Sequence, residues 1–220
     1  MGFRAVRICI ARPALFAAQL RAILRAGAYG DVRVMFPMIA TRAELYTVID
    51  MLEREKLRLK QEGIPHKEDM KVGIMVEVPS AVVMLDTMVD RLDFVSIGSN
   101  DLIQYTFAAD RLNKHVEYLY NCMDPAVLRL IKHTIDTADK AGIECSLCGE
   151  MAGDRLGMAA LVALGLKKFS LSTSLGLLGK KRFSLLCSGE LAETGQKMLQ
   201  AASAQEAEWI LEAALPAEYH

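Results

Sequence analysis

The chain has 220 residues, of which 52% are apolar, and its 26 basic and 27 acidic residues give a net charge of −1. This composition is typical of a globular α/β protein and excludes a disordered chain, while the balanced charge favours neither nucleic acid nor a membrane surface as a partner. No apolar run approaches the roughly 20 residues of a membrane span. The five cysteines are an odd number in a chain too long to need disulfides, which indicates reduced thiols and a cytoplasmic protein.

The predicted elements alternate between helices and short apolar strands. The first thirty residues predict two helices, at 4–10 and 14–26, and five apolar segments predict strands, at 32–39, 71–78, 93–98, 143–148 and 169–172. Helices are predicted between and after these strands, at 42–61, 79–88, 125–141 and 154–164, and one or two more in the tail after residue 188. Asp124 is the expected N-cap of the third of these, with Pro125 at its first position and Gly142 ending it. Apolar strands separated by helices predict a parallel sheet.

Polar side chains lie where two of these strands end. Glu77 lies at the end of the second predicted strand, and Asn100 and Asp101 follow the third. Because the carboxyl ends of parallel strands form one face, we expect these groups to lie near each other. Carboxylates there can hold a hard cation, and Arg111 can bind an anion. Taken singly, Glu77 could equally be a carboxylate at a helix N-terminus, and Asn100 could be a residue that stabilises a turn.

Three segments together resemble one family. They are Met75-Val-Glu-Val-Pro79, the stretch from Ser96 to Asn113, and Leu147-Cys-Gly-Glu-Met-Ala-Gly-Asp154. This pattern is similar to the C-terminal domain of enzyme I, the phosphoenolpyruvate–protein phosphotransferase of the bacterial sugar phosphotransferase system. The resemblance implies an α/β fold, a (β/α)8 TIM barrel of the type that uses phosphoenolpyruvate (PEP), of which this chain carries about five of the eight strands.

The resemblance also implies roles for individual residues. Glu77 and Asp101 match the ligands of Mg²⁺, with Mn²⁺ as a possible substitute. Arg4, Asn100, Asp101 and Arg111 match residues that bind PEP, and Cys148 matches the acid that protonates the enolate to give pyruvate. Without the resemblance, Cys148 would be read as a buried thiol at a strand end, since Cys145 and Cys148 have no second pair or histidine at zinc spacing.

We expect residues 1–187 to form a partial PEP-binding barrel domain and residues 188–220 a C-terminal helical tail. The family's first three strand–helix units and its histidine-bearing N-terminal domain have no counterpart here. An HPr-type phosphocarrier would therefore be reached only through that missing domain, and this chain alone is expected to be inactive. The resemblance also implies a homodimer.

Two other interpretations stay open. Pyruvate phosphate dikinase and phosphoenolpyruvate synthase share the barrel and a Cys-Gly-Glu motif, although Gln104-Tyr-Thr and the segment from Ala109 to Asn113 favour enzyme I. Alternatively, the chain is an inactive truncated barrel that acts as a binding or dimerisation module.

Overall fold

The computed structural model describes residues 2–219, so Met1 and His220 lie outside the described part. Five strands form the sheet: β1 Arg33–Phe36, β2 Lys71–Val76, β3 Phe94–Gly98, β4 Glu144–Cys148 and β5 Lys168–Ser170. Ten α-helices accompany them: α1 Val6–Ala11, α2 Pro13–Ala26, α3 Arg42–Gln61, α4 Pro79–Val83, α5 Ser99–Phe107, α6 Pro125–Ala141, α7 Arg155–Ala163, α8 Gly176–Ser184, α9 Ser188–Gln200 and α10 Ala204–Glu212.

The strands lie in the order β1-β2-β3-β4-β5, and every neighbouring pair is parallel. One face of this sheet is apolar and is covered by helices; its buried side chains are Val34, Phe36, Val72, Ile74, Val76, Val95, Ile97 and Leu147. The opposite face carries Met75, Ser96 and Cys148, which the register places in adjoining rows. The predicted parallel sheet of five strands is confirmed for the described residues.

The sheet is strongly curved. Arg33 on β1 contacts Glu144 on β4, with Nη1 3.4 Å from Oε2, although three strand spacings separate these strands. In a flat sheet the two backbones would lie about 14 Å apart, a distance that only fully extended side chains could span, and curvature of the sheet brings them closer. The face that carries Cys148 is therefore concave, as the inside of a barrel is, and the fold is a partial barrel of five strands with edges at β1 and β5.

Local chemistry explains where the long helices begin and end. Thr41 and Glu44 form a capping box at the start of α3. Asp124 accepts from the Ala126 N–H at the start of α6, and Gly142 ends that helix in a left-handed conformation. The predicted limits of α3 and α6 are confirmed.

Other predicted limits were wrong in part. The first strand ends at Phe36, because Pro37 has no N–H to continue the ladder. The helix expected to reach residue 88 ends at Val83 and continues as two 3₁₀ turns, in a segment whose β-branched residues favour helix weakly. Helix α5 was not predicted at all, and Asn100 and Asp101 lie in its first turn and not in a loop.

The C-terminal tail folds back on the barrel. Helix α9 packs against α6 and α7, and α10 packs against α7 and α9. Leu191, Met198 and Leu211 are buried in these contacts. Within residues 2–219, no helix is both long and apolar enough to cross a lipid bilayer.

Candidate active site

The candidate site lies at the carboxyl ends of the three central strands, and Glu77 is its most buried ionisable group. Glu77 directly follows β2, is 5% exposed, and accepts a hydrogen bond of 2.7 Å from the Met38 N–H. That N–H is aimed by an unusual backbone, since Met38 has a φ of 58°. Burial raises the pKa of Glu77 from 4.5 to about 7; the Met38 N–H opposes the rise and the nearby Asp101 adds to it.

Asp101 brings a second carboxylate to the same place. It lies in the first turn of α5, where the positive end of the helix dipole favours a negative charge. Arg4 forms an ion pair with it, with 3.0 Å between Nη1 and Oδ1, across 97 residues of chain. Asp101 accordingly raises the pKa of Arg4. The side chain of Arg4 is 51% exposed and that of Asp101 18%, so this pair lies at the mouth of the site.

Cys148 ends β4 on the concave face. Its Sγ accepts from the Ser96 hydroxyl at 3.9 Å and lies 3.6 Å from the sulfur of Met75. Burial raises the pKa of the Cys148 thiol, and the nearby Glu77 contributes to the rise. A thiol held protonated in this way can act as a general acid and is a weak nucleophile.

The backbone after Cys148 is held against α5. The hydroxyl of Ser99, which is fully buried, donates to the Cys148 carbonyl at 3.1 Å. Gly149 follows with a φ of 115°, and a Cβ there would lie 2.3 Å from Ser99 Oγ. Only glycine fits this conformation and this contact.

Asn100 joins the first turn of α5 to the loop after β4 at the rim of the site. Its Oδ1 accepts from the Glu150 N–H at 3.1 Å, and its Nδ2 donates to Glu150 Oε1 at 3.4 Å. The Tyr120 hydroxyl donates to the Asn100 carbonyl at 3.2 Å. Arg111 lies beside Tyr120, where its positive charge opposes the rise in the tyrosine pKa that burial causes.

The structure thus brings Glu77, Asp101, Arg4 and Cys148 together at one end of the sheet, with Asn100 and Arg111 at its rim. The roles of these residues remain predictions. In the described residues there is no cluster of three or more histidine, cysteine, aspartate or glutamate side chains that could hold a metal.

Three neighbours of the site had no role assigned from sequence. Ser96 and Ser99 lie inside the segment that carried the resemblance. The sequence therefore indicated that they are near the site but not which atoms they contact. Tyr120 gave no signal, because it lies in an irregular loop with no periodic pattern around it.

Comparisons with known proteins agree with this geometry. The sequence profile of the family described as "PEP-utilising enzyme, PEP-binding domain" matches residues 1–182. Phosphoenolpyruvate-protein phosphotransferase of Listeria monocytogenes is 44% identical over 212 residues, which cover 96% of this chain and 37% of that protein. The proteins of the same name from Geobacillus stearothermophilus and Staphylococcus epidermidis are 45% and 42% identical over 206 residues, which cover 94% of this chain and 36% of each.

Among solved structures, a citrate lyase from Burkholderia xenovorans superposes with a TM-score of 0.56 at 15% identity, covering 92% of this chain and 71% of that one. This likeness concerns the fold. The chain spans somewhat more than a third of the length of the curated relatives above, as their 36–37% coverage states. From the match over residues 1–182, the chain belongs to the family of PEP-binding domains of PEP-utilising enzymes.

Proposed function

We propose that this chain is the PEP-binding part of a phosphoenolpyruvate–protein phosphotransferase. The observation that carries the proposal is the convergence of Glu77, Asp101, Arg4 and Cys148, from four separate segments, at the carboxyl end of a parallel sheet. The identity of 42–45% to proteins of that name supports it. The proposal includes a barrel domain at 1–187 with a tail at 188–220, a homodimer, and a cytoplasmic location.

Binding of PEP is assigned to the arginines and Asn100. PEP carries a phosphate and a carboxylate, and guanidinium groups bind both with paired, charge-assisted hydrogen bonds. Arg4, which pairs with Asp101, and Arg111, which lies beside Tyr120, are the guanidinium groups proposed to bind such an anion. Asn100, in the first turn of α5, can add a hydrogen bond.

The donor set fits Mg²⁺ or Mn²⁺. Glu77 and Asp101 offer oxygen ligands, and the charge of Asp101 makes ionisation of Glu77 less favourable, a repulsion that a divalent cation would relieve. The chemistry that such a cation supplies is neutralisation of charge on the phosphate. The protein's own contribution is to hold Glu77 by the Met38 N–H and Asp101 at the N-terminus of α5.

Cys148 is proposed as the acid. When the phosphoryl group leaves PEP for a histidine on a separate N-terminal domain, and from there HPr, the P–O bond breaks and its electron pair stays on the enol oxygen as an enolate. The S–H of Cys148 gives its proton to the methylene carbon, which yields pyruvate and a thiolate that solvent reprotonates. Burial keeps this thiol protonated until the enolate forms.

Calorimetry tests the proposal on this chain alone. We expect PEP to bind in the presence of Mg²⁺ and to bind much more weakly without it or in Arg111→Gln. Arg25→Gln, which removes an exposed arginine on α2, is the matched control and should leave binding unchanged. A folded chain that shows no Mg²⁺-dependent binding of PEP would contradict the assignment.

A second candidate function is that of a binding or dimerisation module, and the sheet edges favour it. Strands β1 and β5 each have one neighbour in the described residues, and such edges favour association with another chain. A chain that folds and associates but does not bind PEP would favour the binding or dimerisation module. Pyruvate phosphate dikinase and phosphoenolpyruvate synthase remain the closest enzymatic alternatives, and the identity to the phosphotransferases favours the first proposal.

A further inference from the structure

The loop between Cys148 and α7 is held from two directions. On the barrel side, Ser99 donates to the Cys148 carbonyl, and Asn100 pairs with Glu150. These contacts act on the first half of the loop. The second half, from Met151 to Asp154, leads into α7, and its supports come from the C-terminal part of the chain.

Three contacts supply that second support. Arg182 on α8 donates from Nη1 to the Gly153 carbonyl at 3.0 Å. Tyr219 donates its hydroxyl to the Arg155 carbonyl at 2.9 Å. Arg155 in turn forms an ion pair of 2.5 Å with Glu212 on α10. Gly153 in the loop is thus tied to α8, and Arg155, the first residue of α7, is tied to α10 and to Tyr219.

Tyr219 is unusually well fixed for its position. Terminal residues generally fray unless they are tied down, yet Tyr219 is only 3% exposed. Its hydroxyl lies near the guanidinium groups of Arg182 and Arg155, whose charges oppose the rise in its pKa that burial causes. A buried aromatic side chain with a satisfied hydroxyl can hold the chain end against the start of α7.

We propose that Tyr219 and Glu212 are positioning residues, which hold the loop after β4 and thereby fix the placement of Cys148 and Glu150. The role of Cys148 as acid rests on the proposed function, but the mechanical coupling does not. The C-terminal segment then supports the site through Arg155, whereas the contacts of the candidate acid itself are with Ser96, Ser99 and Met75.

The test measures the opening of the loop and the accessibility of Cys148 directly, on the whole chain and without substrate. Tyr219→Phe removes one hydroxyl and keeps the ring. We expect amide hydrogen exchange over 149–154 to rise about fivefold, the factor that corresponds to about 1 kcal/mol for one hydrogen bond. We expect iodoacetamide to modify Cys148 faster by a similar factor, as located by fragmentation mass spectrometry.

The modification rate of Cys145 distinguishes a change in the loop from a general loosening of the sheet. It lies three residues earlier on the same strand and faces the helices, so a variant that merely weakens the sheet would expose both thiols. Tyr29→Phe, which alters an exposed tyrosine far from the loop, is the matched control and should change neither rate. If Tyr219→Phe does not fold, Glu212→Gln carries the same test.

Faster exchange and faster Cys148 modification, with Cys145 unchanged, support the coupling. An unchanged loop, or a parallel rise at both cysteines, overturns it. Because neither readout uses PEP, the coupling can fail while the proposed function stands, and the reverse also holds.

Discussion

Glu77 offers the sharpest test of the site's electrostatics. Replacing Glu77 with Gln keeps an acceptor for the Met38 N–H, 2.7 Å away in the parent, and removes the ionisable group. In the folded protein the pKa of Glu77 is raised from 4.5 to about 7, chiefly by burial. The folded state therefore binds the proton more tightly than the unfolded state does, and ionisation of Glu77 destabilises the fold.

The linkage between proton binding and folding gives the sign and size of the effect of Glu77 on the unfolding free energy. The stabilising effect of the raised pKa is fully present below pH 4.5 and is lost as the pH rises through about 7. At roughly 1.4 kcal/mol for each tenfold change in an equilibrium constant, the whole effect is about 3 kcal/mol, and most of it falls between pH 5 and pH 8. Glu77 is nearly fully buried, so solvent screening reduces this figure little.

Urea unfolding from pH 5 to pH 8 measures the effect. The unfolding free energy of the parent should fall relative to Glu77→Gln by about 2–3 kcal/mol across this range. Glu117→Gln, which removes an exposed carboxyl, should leave a profile parallel to the parent. At pH 8, Mg²⁺ should restore stability to the parent and not to Glu77→Gln. Parallel profiles for the parent and Glu77→Gln would refute the reasoning.

Four further predictions concern the same region. Asp101→Ala should abolish Mg²⁺-dependent binding of PEP in calorimetry, and unchanged binding would remove Asp101 from the site. Cys148→Ala should leave that binding intact and, in a protein that also carries the histidine domain, stop pyruvate formation; near-normal turnover would contradict its role as acid. Gly149→Ala should cost about 2 kcal/mol or more in urea unfolding, because a Cβ at φ 115° meets Ser99 Oγ at 2.3 Å, whereas Gly30→Ala, which meets nothing within 4 Å, should be nearly neutral. The purified chain should transfer no label from PEP to HPr, and label on HPr at enzymatic rates would show this expectation to be wrong.

The fold was predictable where single residues punctuate the chain. Asp124, Pro125 and Gly142 fix both ends of α6, and each acts through its own backbone or nearest neighbours. Helix α5 was missed because Gly98 precedes it and provides no side-chain cap, and its first turn is polar. A helix start that depends on tertiary contacts leaves no local signal.

The site was predictable only as a location. Parallel strands bring their carboxyl ends together, so the closeness of Glu77 and Asp101 followed from the topology. The pairing of Arg4 with Asp101 did not, because it joins positions 97 residues apart through a loop whose path no periodicity describes. The contact of Tyr120 with Asn100 was hidden for the same reason.

The position of the site within the sheet bears on whether five strands can support it. Glu77, Asp101 and Cys148 follow or end β2, β3 and β4, and each of these strands has a neighbour on both sides. The edge strands take less part: the segment after β1 supplies the Met38 N–H, and β5 supplies Lys168, which pairs with Glu144 at the opposite end of β4. The ladder hydrogen bonds that hold the candidate metal ligands and acid in register are thus all formed within the described chain. The proposed binding of a cation and PEP would therefore depend mainly on the three central strands, with Arg4 contributed from the segment before α1, while closure of the barrel would act mainly on the two edges.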